Sequence, residues 1–319
     1  MPELPDVELY LDAMRRRLLP RDAADAVDGN PAPAILEQVR LASPFLLRTV
    51  EPPLSATLGR AVTSLRRLGK RLVIGLGELE GEPLYLVIHL MIAGRLQWKK
   101  KGAAVPGRIG LAMFDFDRGS LAFTEASKKK RAKLHVVRGD EALAEHDPGG
   151  LEPLTIDLPT FTTLLRAENH TVKRTLTDPR VLSGIGNAYS DEILHAAKLP
   201  PHRWTTKLTD DEITRLHAAM QSTLIAWRDR LRDEIGDDWP KEVTAFRPDM
   251  AVHGKYKQPC PVCGDPVQRI AYADHETNYC ATCQNGGVLL ADRGLSRLLK
   301  GDWPKTLDQL EELKRERRG

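Results

Sequence analysis

The chain reads as an α+β protein of more than one domain, and three observations carry that reading. An apolar stripe of helical period opens it, short β-like runs fill residues 57 to 138, and the pattern turns helical after Pro148-Gly149-Gly150. The length agrees, since 319 residues is about twice the usual size of one domain. The expected architecture is an N-terminal helix on an antiparallel β-sandwich, then a helical domain and a small cysteine-bearing module. The expected boundaries are 1–150, 151–250, 251–300 and a helical tail over 301–319.

The elements follow in order. Val7, Leu11, Met14 and Leu18 share one stripe, Arg15 and Arg16 lie off it, and Pro20 sits near its end, which predicts a helix just after Met1-Pro2-Glu3. Strands are expected at Arg71 to Leu76, Leu84 to Leu90, Ile109 to Phe116 and Leu121 to Thr124, with Asp117-Arg118-Gly119-Ser120 as a hairpin turn. Past residue 150, Leu182 to Glu192 forms a glycine-bearing turn into a helix. The clearest helix follows Leu208: Thr209 and Glu212 have capping-box spacing, and Ile213, Leu216, Met220, Leu224, Trp227 and Leu231 recur every three or four residues. The Met and Trp on that stripe belong to the core. Leu307, Leu310 and Leu313 give the tail one apolar face, suited to packing.

Composition narrows the class. The apolar fraction of 41% supports globular cores, and a formal charge of +3 means that polyanion binding must come from local clusters. Lys99-Lys100-Lys101 and Lys128-Lys129-Lys130-Arg131 with Lys133 are such clusters, although a lysine run also suits a solvated loop. The longest apolar stretch, Tyr85 to Gly94, is interrupted by His89 and too short to span a bilayer. Glu3, Asp6 and Glu8 stand where a secretory leader would be basic. A cytoplasmic protein is therefore expected, in which four cysteines suit metal binding better than disulfides.

Two patterns carry chemistry. Removal of Met1 would leave Pro2 with a free secondary amine, and an unperturbed α-amino group titrates near ~8, so a useful fraction is nucleophilic at physiological pH. Attack on a sugar C1′ gives an iminium ion. Proline nitrogen has no second proton to lose, so that ion keeps its charge and acts as an electron sink for elimination, with Glu3 placed to shuttle protons. A disordered terminal residue is the competing reading. The second pattern is Cys260-x-x-Cys263 followed after sixteen residues by Cys280-x-x-Cys283. Four thiolates at this spacing close a tetrahedral zinc site between two knuckles, with Pro261 and Gly264 suited to the turns. Two disulfides are the alternative. No ligand position is left for water, so this zinc is structural. Arg269, His275 and Asn278 on the intervening hairpin suit contact with a phosphate backbone.

Taken together, Met-Pro-Glu-Leu-Pro-Asp-Val-Glu at the start, Gly69-Lys70-Arg71 before a strand, Gly184-Ile185-Gly186-Asn187-Ala188-Tyr189 and the Cys-x-x-Cys-Gln284 ending resemble the bacterial formamidopyrimidine-DNA glycosylases and their endonuclease VIII relatives. The resemblance spans nearly the whole chain. It implies a monomeric, two-domain base excision repair enzyme that clasps damaged double-stranded DNA between a β-sandwich and a helix-two-turn-helix plus zinc-ribbon domain, and flips out an oxidised base. Carried onto this sequence, Pro2 is the nucleophile, Glu3 the proton-transferring carboxylate and Lys70 the lysine that assists β-elimination. Asn187 resembles a phosphate-binding residue, Glu192 a structural carboxylate, and Arg108 and Lys173 fall where DNA contacts are placed. The implied activity is a bifunctional glycosylase and AP lyase acting on 8-oxoguanine and formamidopyrimidines, with one structural zinc and no catalytic cofactor.

Several positions depart from the family pattern. Asp6 stands where Glu is usual, and residues 89 to 94 read His-Leu-Met-Ile-Ala-Gly. This places Ile92, or Met91 by a shift, where a methionine fills the gap left by the flipped base. The lysine run 128 to 131 replaces the arginine and phenylalanine that probe the opposite base. His275 occupies the place of an arginine that grips phosphates and assists δ-elimination. These changes keep open a preference for oxidised pyrimidines, as in the endonuclease VIII branch, and a non-catalytic damage-binding protein.

Overall fold

The computed structural model describes residues 1–241, 243, 246–272, 275–291 and 303–316. It divides into two compact units, Met1–Gly150 with Ala226–Ala245, and Leu151–Ile225 with Phe246–Gly319.

The first unit begins with α1 (Leu4–Leu18), whose stripe residues Val7, Leu11, Met14 and Leu18 are fully buried. Eight antiparallel strands follow: β1 (Ile35–Leu41), β2 (Arg60–Leu68), β3 (Arg71–Leu79), β4 (Glu82–His89), β5 (Gly94–Lys99), β6 (Gly110–Phe116), β7 (Gly119–Glu125) and β8 (Lys133–Arg138). They form one sheet in the order β5-β7-β6-β1-β2-β3-β4-β8. β1 and β2 pair only through Ile35↔Ala61 and Leu36↔Arg60, so the sheet turns there into two four-stranded halves. Between them lies a core of Leu36, Val62, Leu72, Ile74, Leu86, Phe114 and Phe123, closed by α1. This is the expected sandwich. Strand β1 lies outside the segment in which strands were expected, because Ile-Leu-Glu-Gln-Val-Arg-Leu has no clean alternation and only Leu36 of it is buried. A short helix, α2 (Asp140–Ala144), covers a second cluster of Val73, Tyr85, Val87, Val137 and Leu143.

The second unit contains α3 (Leu158–Ala167), α4 (Val172–Thr177), α5 (Asn187–Ala196) and most of α6 (Asp210–Ile235). The capping box forms: Thr209 N–H donates to Glu212 Oε2 at 2.9 Å, and Glu212 N–H to Thr209 Oγ1 at 3.2 Å. Hairpin β9 (Gln268–Ala271) and β10 (Glu276–Tyr279) leads into α7 (Ala281–Asn285). In the tail, α8 (Leu307–Glu316) lays Leu307 and Leu310 against Ile270, Tyr279, Leu289 and Leu290. Residues 292–302 and 317–319, within the expected ribbon and tail, lie outside the described residues. Among the described residues no helix is long and apolar enough to cross a membrane.

Ala226–Ala245 completes the first unit. Arg232 pairs with Asp12 of α1 at 2.7 Å, and the Trp239 ring lies 5.9 Å from that of Tyr10 and 6.0 Å from that of Trp98. Trp239 Nε1–H donates to the Leu96 carbonyl at 2.8 Å, which ties this segment to β5, and Leu96 N–H donates to Tyr10 Oη of α1 at 3.3 Å.

Candidate active site and nucleic-acid interface

The chain start is packed, not frayed. Pro2 is buried, Glu3 is 2% exposed and Asp6 is fully buried. Glu3 precedes α1 as its cap residue, and its N–H donates to Asp6 Oδ2 at 2.9 Å. Asp6 therefore holds the terminus by satisfying one of the orphan amides of the helix start. The terminal amine, here that of Met1, is shifted below its ordinary pKa by burial. Glu3 opposes that shift, Arg95 adds to it, Asp6 opposes it and Lys70 adds to it. The surroundings thus favour a neutral amine.

Lys70 reaches this cluster through a tight turn. β2 and β3 pair up to Leu68↔Arg71, leaving Gly69-Lys70 as the loop, and Gly69 supplies a φ of 61° that other residues adopt at a cost. Arg67 Nε donates to Glu8 Oε1 at 2.9 Å and its Nη1 to the Gly69 carbonyl at 2.9 Å, so the turn is pinned to α1. The Lys70 ammonium is pushed down by burial, with Glu3 opposing. Pro2, Glu3 and Lys70 are therefore brought together, joined by Arg95 and Asp6. Arg95 carried no motif, so its part emerges only from the fold.

Around this cluster lie the residues of the altered loops. His89 ends β4 in register with Arg71 on one side and Lys133 on the other. Burial pulls its pKa down to about 4, with Arg71, Lys133 and Lys70 adding to the effect, so it is neutral at pH 7. Ile92 is 55% exposed, whereas Met91 is half-buried with a left-handed φ of 54°. The lysine run is an ordered loop: the buried Glu125 carboxylate accepts the N–H of Arg131 at 2.9 Å and of Ala132 at 3.1 Å. Lys128, Lys129 and Arg131 are exposed and make no ion pair among the described residues. Arg108 is exposed on the turn before β6. It neighbours Ile109, whose carbonyl accepts Glu125 N–H at 2.8 Å, so it lies near the lysine loop.

In the second unit Asn187 is the first residue of α5, and its Nδ2 donates to the Glu276 carbonyl of β10 at 2.8 Å. Lys173 is mostly buried; its ammonium pairs with Asp191 and donates to the Asn187 carbonyl at 3.2 Å. The Glu192 carboxylate accepts the N–H groups of Ala251 at 2.7 Å and of Val252 and His253 at 2.9 Å each. These bonds tie α5 and the turn before it to the segment that carries the hairpin. His275 is exposed, its ring stacked 4.6 Å from that of Tyr272. Arg269 is exposed and lies over the Tyr256 ring at 4.4 Å. Asn278 corrects an expectation: it is 1% exposed, with its Oδ1 accepting Gly254 N–H at 2.8 Å, so it holds the hairpin and does not touch phosphate.

The four cysteines converge, with all Sγ atoms within 4.8 Å of one another. Cys263 and Cys280 are 3.4 Å apart and Cys260 and Cys283 are 3.9 Å apart, too far for disulfides. Tetrahedral zinc with bonds of about 2.3 Å puts its sulfurs about 3.8 Å apart, so the site fits the metal. Gly264 takes a φ of 83° at the first knuckle, where its N–H donates to the Cys260 carbonyl at 2.9 Å.

Comparison with known proteins adds to this geometry. Residues 1–136 match the formamidopyrimidine-DNA glycosylase N-terminal domain, residues 150–227 the formamidopyrimidine-DNA glycosylase H2TH domain, and residues 257–286 the zinc finger found in FPG and IleRS. The four cysteines accordingly form a structural zinc site. A formamidopyrimidine-DNA glycosylase of Symbiobacterium thermophilum is 30% identical over 314 residues, covering 92% of this chain and 93% of the relative. An uncharacterized formamidopyrimidine-DNA glycosylase-like protein of Mycobacterium tuberculosis is 43% identical over 155 residues, covering 48% of this chain and 96% of the relative. The Lactococcus lactis Fpg, solved in complex with DNA containing an abasic site, shares the fold with a TM-score of 0.73 at 22% identity, over 89% of this chain and 99% of that one.

Proposed function

This chain belongs to the formamidopyrimidine-DNA glycosylase family, and from that membership and its terminal cluster we propose a bifunctional glycosylase and AP lyase that excises oxidised purines from double-stranded DNA. The observation that carries the reading is the buried chain start, where Pro2 is buried and the Met1 amine, Glu3 and Lys70 share one electrostatic environment that favours a neutral amine. In the active form Met1 is removed and the amine is that of Pro2. Its nitrogen forms a bond to C1′ as the bond from C1′ to the base breaks, and the departing base takes a proton. Glu3 is the acid within reach. Ring opening leaves an iminium whose positive charge draws electrons from C2′; loss of a C2′ proton then expels the 3′ phosphate, which is β-elimination. Lys70, with its pKa lowered by burial, is suited to accept a proton during these steps.

Asn187 and the exposed cations of the lysine loop supply backbone contacts that carry no sequence information. Lys173, already held by Asp191, contributes by fixing the Asn187 turn. Arg108 and His275 are exposed to an approaching phosphate, and the exposed Ile92, or Met91 by a shift of one residue, is the candidate to fill the vacated base position. Replacement of base-probing residues by lysines favours a second reading, in which oxidised pyrimidines are preferred. Single-turnover excision from duplexes carrying 8-oxoguanine or thymine glycol separates the two. Faster release of 8-oxoguanine is expected, and faster release of thymine glycol would replace the purine reading.

A further inference from the structure

We propose that His195 is a positioning residue of the zinc site, donating its Nε2–H to the Cys260 thiolate and so coupling helix α5 to the metal. His195 lies in the last turn of α5, is 6% exposed, and has its Nε2 3.3 Å from Cys260 Sγ. Cys260 itself is 2% exposed. A zinc-bound thiolate has no proton to give, so the hydrogen between these atoms belongs to the imidazole. The contact thereby selects the tautomer as well as the ring orientation. A hydrogen bond to a ligating sulfur withdraws part of its negative charge and holds it in place, and such partners of metal ligands govern how tightly the metal is kept.

The other links between α5 and the ribbon differ in kind. Asn187 reaches the Glu276 carbonyl, Asp191 accepts from Asn278 N–H at 3.2 Å and pairs with His253, and Glu192 binds backbone amides of residues 251 to 253. Among the described residues, His195 is the α5 side chain that meets a metal ligand. The helix that begins with Asn187 therefore ends on the zinc site, and metal occupancy is felt along its length. This inference rests on the four-cysteine site and is independent of the catalytic reading.

The test uses the full-length zinc-loaded protein and two variants, His195→Phe, which keeps ring volume but has no donor, and His195→Gln, which restores one. Zinc transfer to a colorimetric chelator should be roughly 10- to 100-fold faster in His195→Phe, with His195→Gln returning toward the parent. In cobalt-substituted protein the thiolate charge-transfer band should shift in His195→Phe. Equal release rates and an unshifted band in a folded His195→Phe protein would overturn the proposal, as would equal acceleration in both variants without a band shift, which means packing alone. Should His195→Phe not fold, cadmium-substituted parent protein decides by NMR. A coupling between the metal and the His195 Nε2 proton is expected, and its absence refutes the bond.

Discussion

In the proposed mechanism a single proton on the terminal amine decides whether chemistry starts. Burial lowers the pKa of the Met1 amine at this position, and the Pro2 amine exposed by removal of Met1 should meet the same neighbours; below its pKa such an amine is protonated and inert, and above it neutral and able to attack. The trapping rate on abasic DNA should therefore rise with pH to a midpoint below ~8, the unperturbed value. Arg95 contributes to the lowering, so Arg95→Ala should move that midpoint upward. An unmoved midpoint would separate Arg95 from the nucleophile. With Glu3 as the proposed proton donor to the departing base, Glu3→Gln should slow excision by about 10²- to 10⁴-fold while leaving trapping at a preformed abasic site much less affected. Equal loss in both assays would assign Glu3 to the terminus alone. Little of this residue-level arrangement except Pro2, Glu3 and Lys70 is legible in the chain itself. Arg95 and the Lys173–Asp191 pair are contacts between distant segments that periodicity does not record.

Among the elements, the strongly periodic ones are those the residues announce. The α1 stripe, strands β3, β4, β6 and β7, and the Thr209/Glu212 cap lie where the sequence places them, α1 because one buried face imposes a repeat and the strands because they are short apolar runs buried along most of their length. β1 escapes because it serves as the narrow joint between two half-sheets and buries one side chain. Asn278 departs from expectation because a polar residue on a short hairpin has the same spacing whether it faces solvent or a neighbouring amide. The sheet also carries a pH liability on β8. His135 is pulled down to about 4 by burial, with His146, Lys133 and Arg71 adding to the effect, and its buried Nδ1 has no partner among the described residues. In the unfolded chain the same ring titrates near ~6.5. Between those values the unfolded state binds the extra proton, so its contribution to stability is present above pH ~6.5 and is lost as pH falls toward 4. His135→Phe should therefore lose less thermal stability than the parent between pH 7 and pH 4. Parallel melting curves for the two proteins over that range would refute this.

For the whole molecule, the amine cluster lies in one compact unit and Asn187 with the zinc ribbon in the other. Chelation of zinc should release the hairpin and the bonds it makes to α5, so DNA affinity should collapse while the near-ultraviolet signal of Trp98 and Trp239 in the first unit persists. Simultaneous loss of both signals would show that the units fold as one. The central claim is narrower: the nucleophile is the secondary amine of Pro2, with Met1 absent. Borohydride reduction of the protein on a duplex containing 8-oxoguanine, followed by mass spectrometry of the cross-linked peptide, tests it directly. The expected product is a peptide that begins at Pro2 with the sugar remnant on its nitrogen; a folded, zinc-loaded protein that yields no cross-link, or one on another residue, contradicts the account.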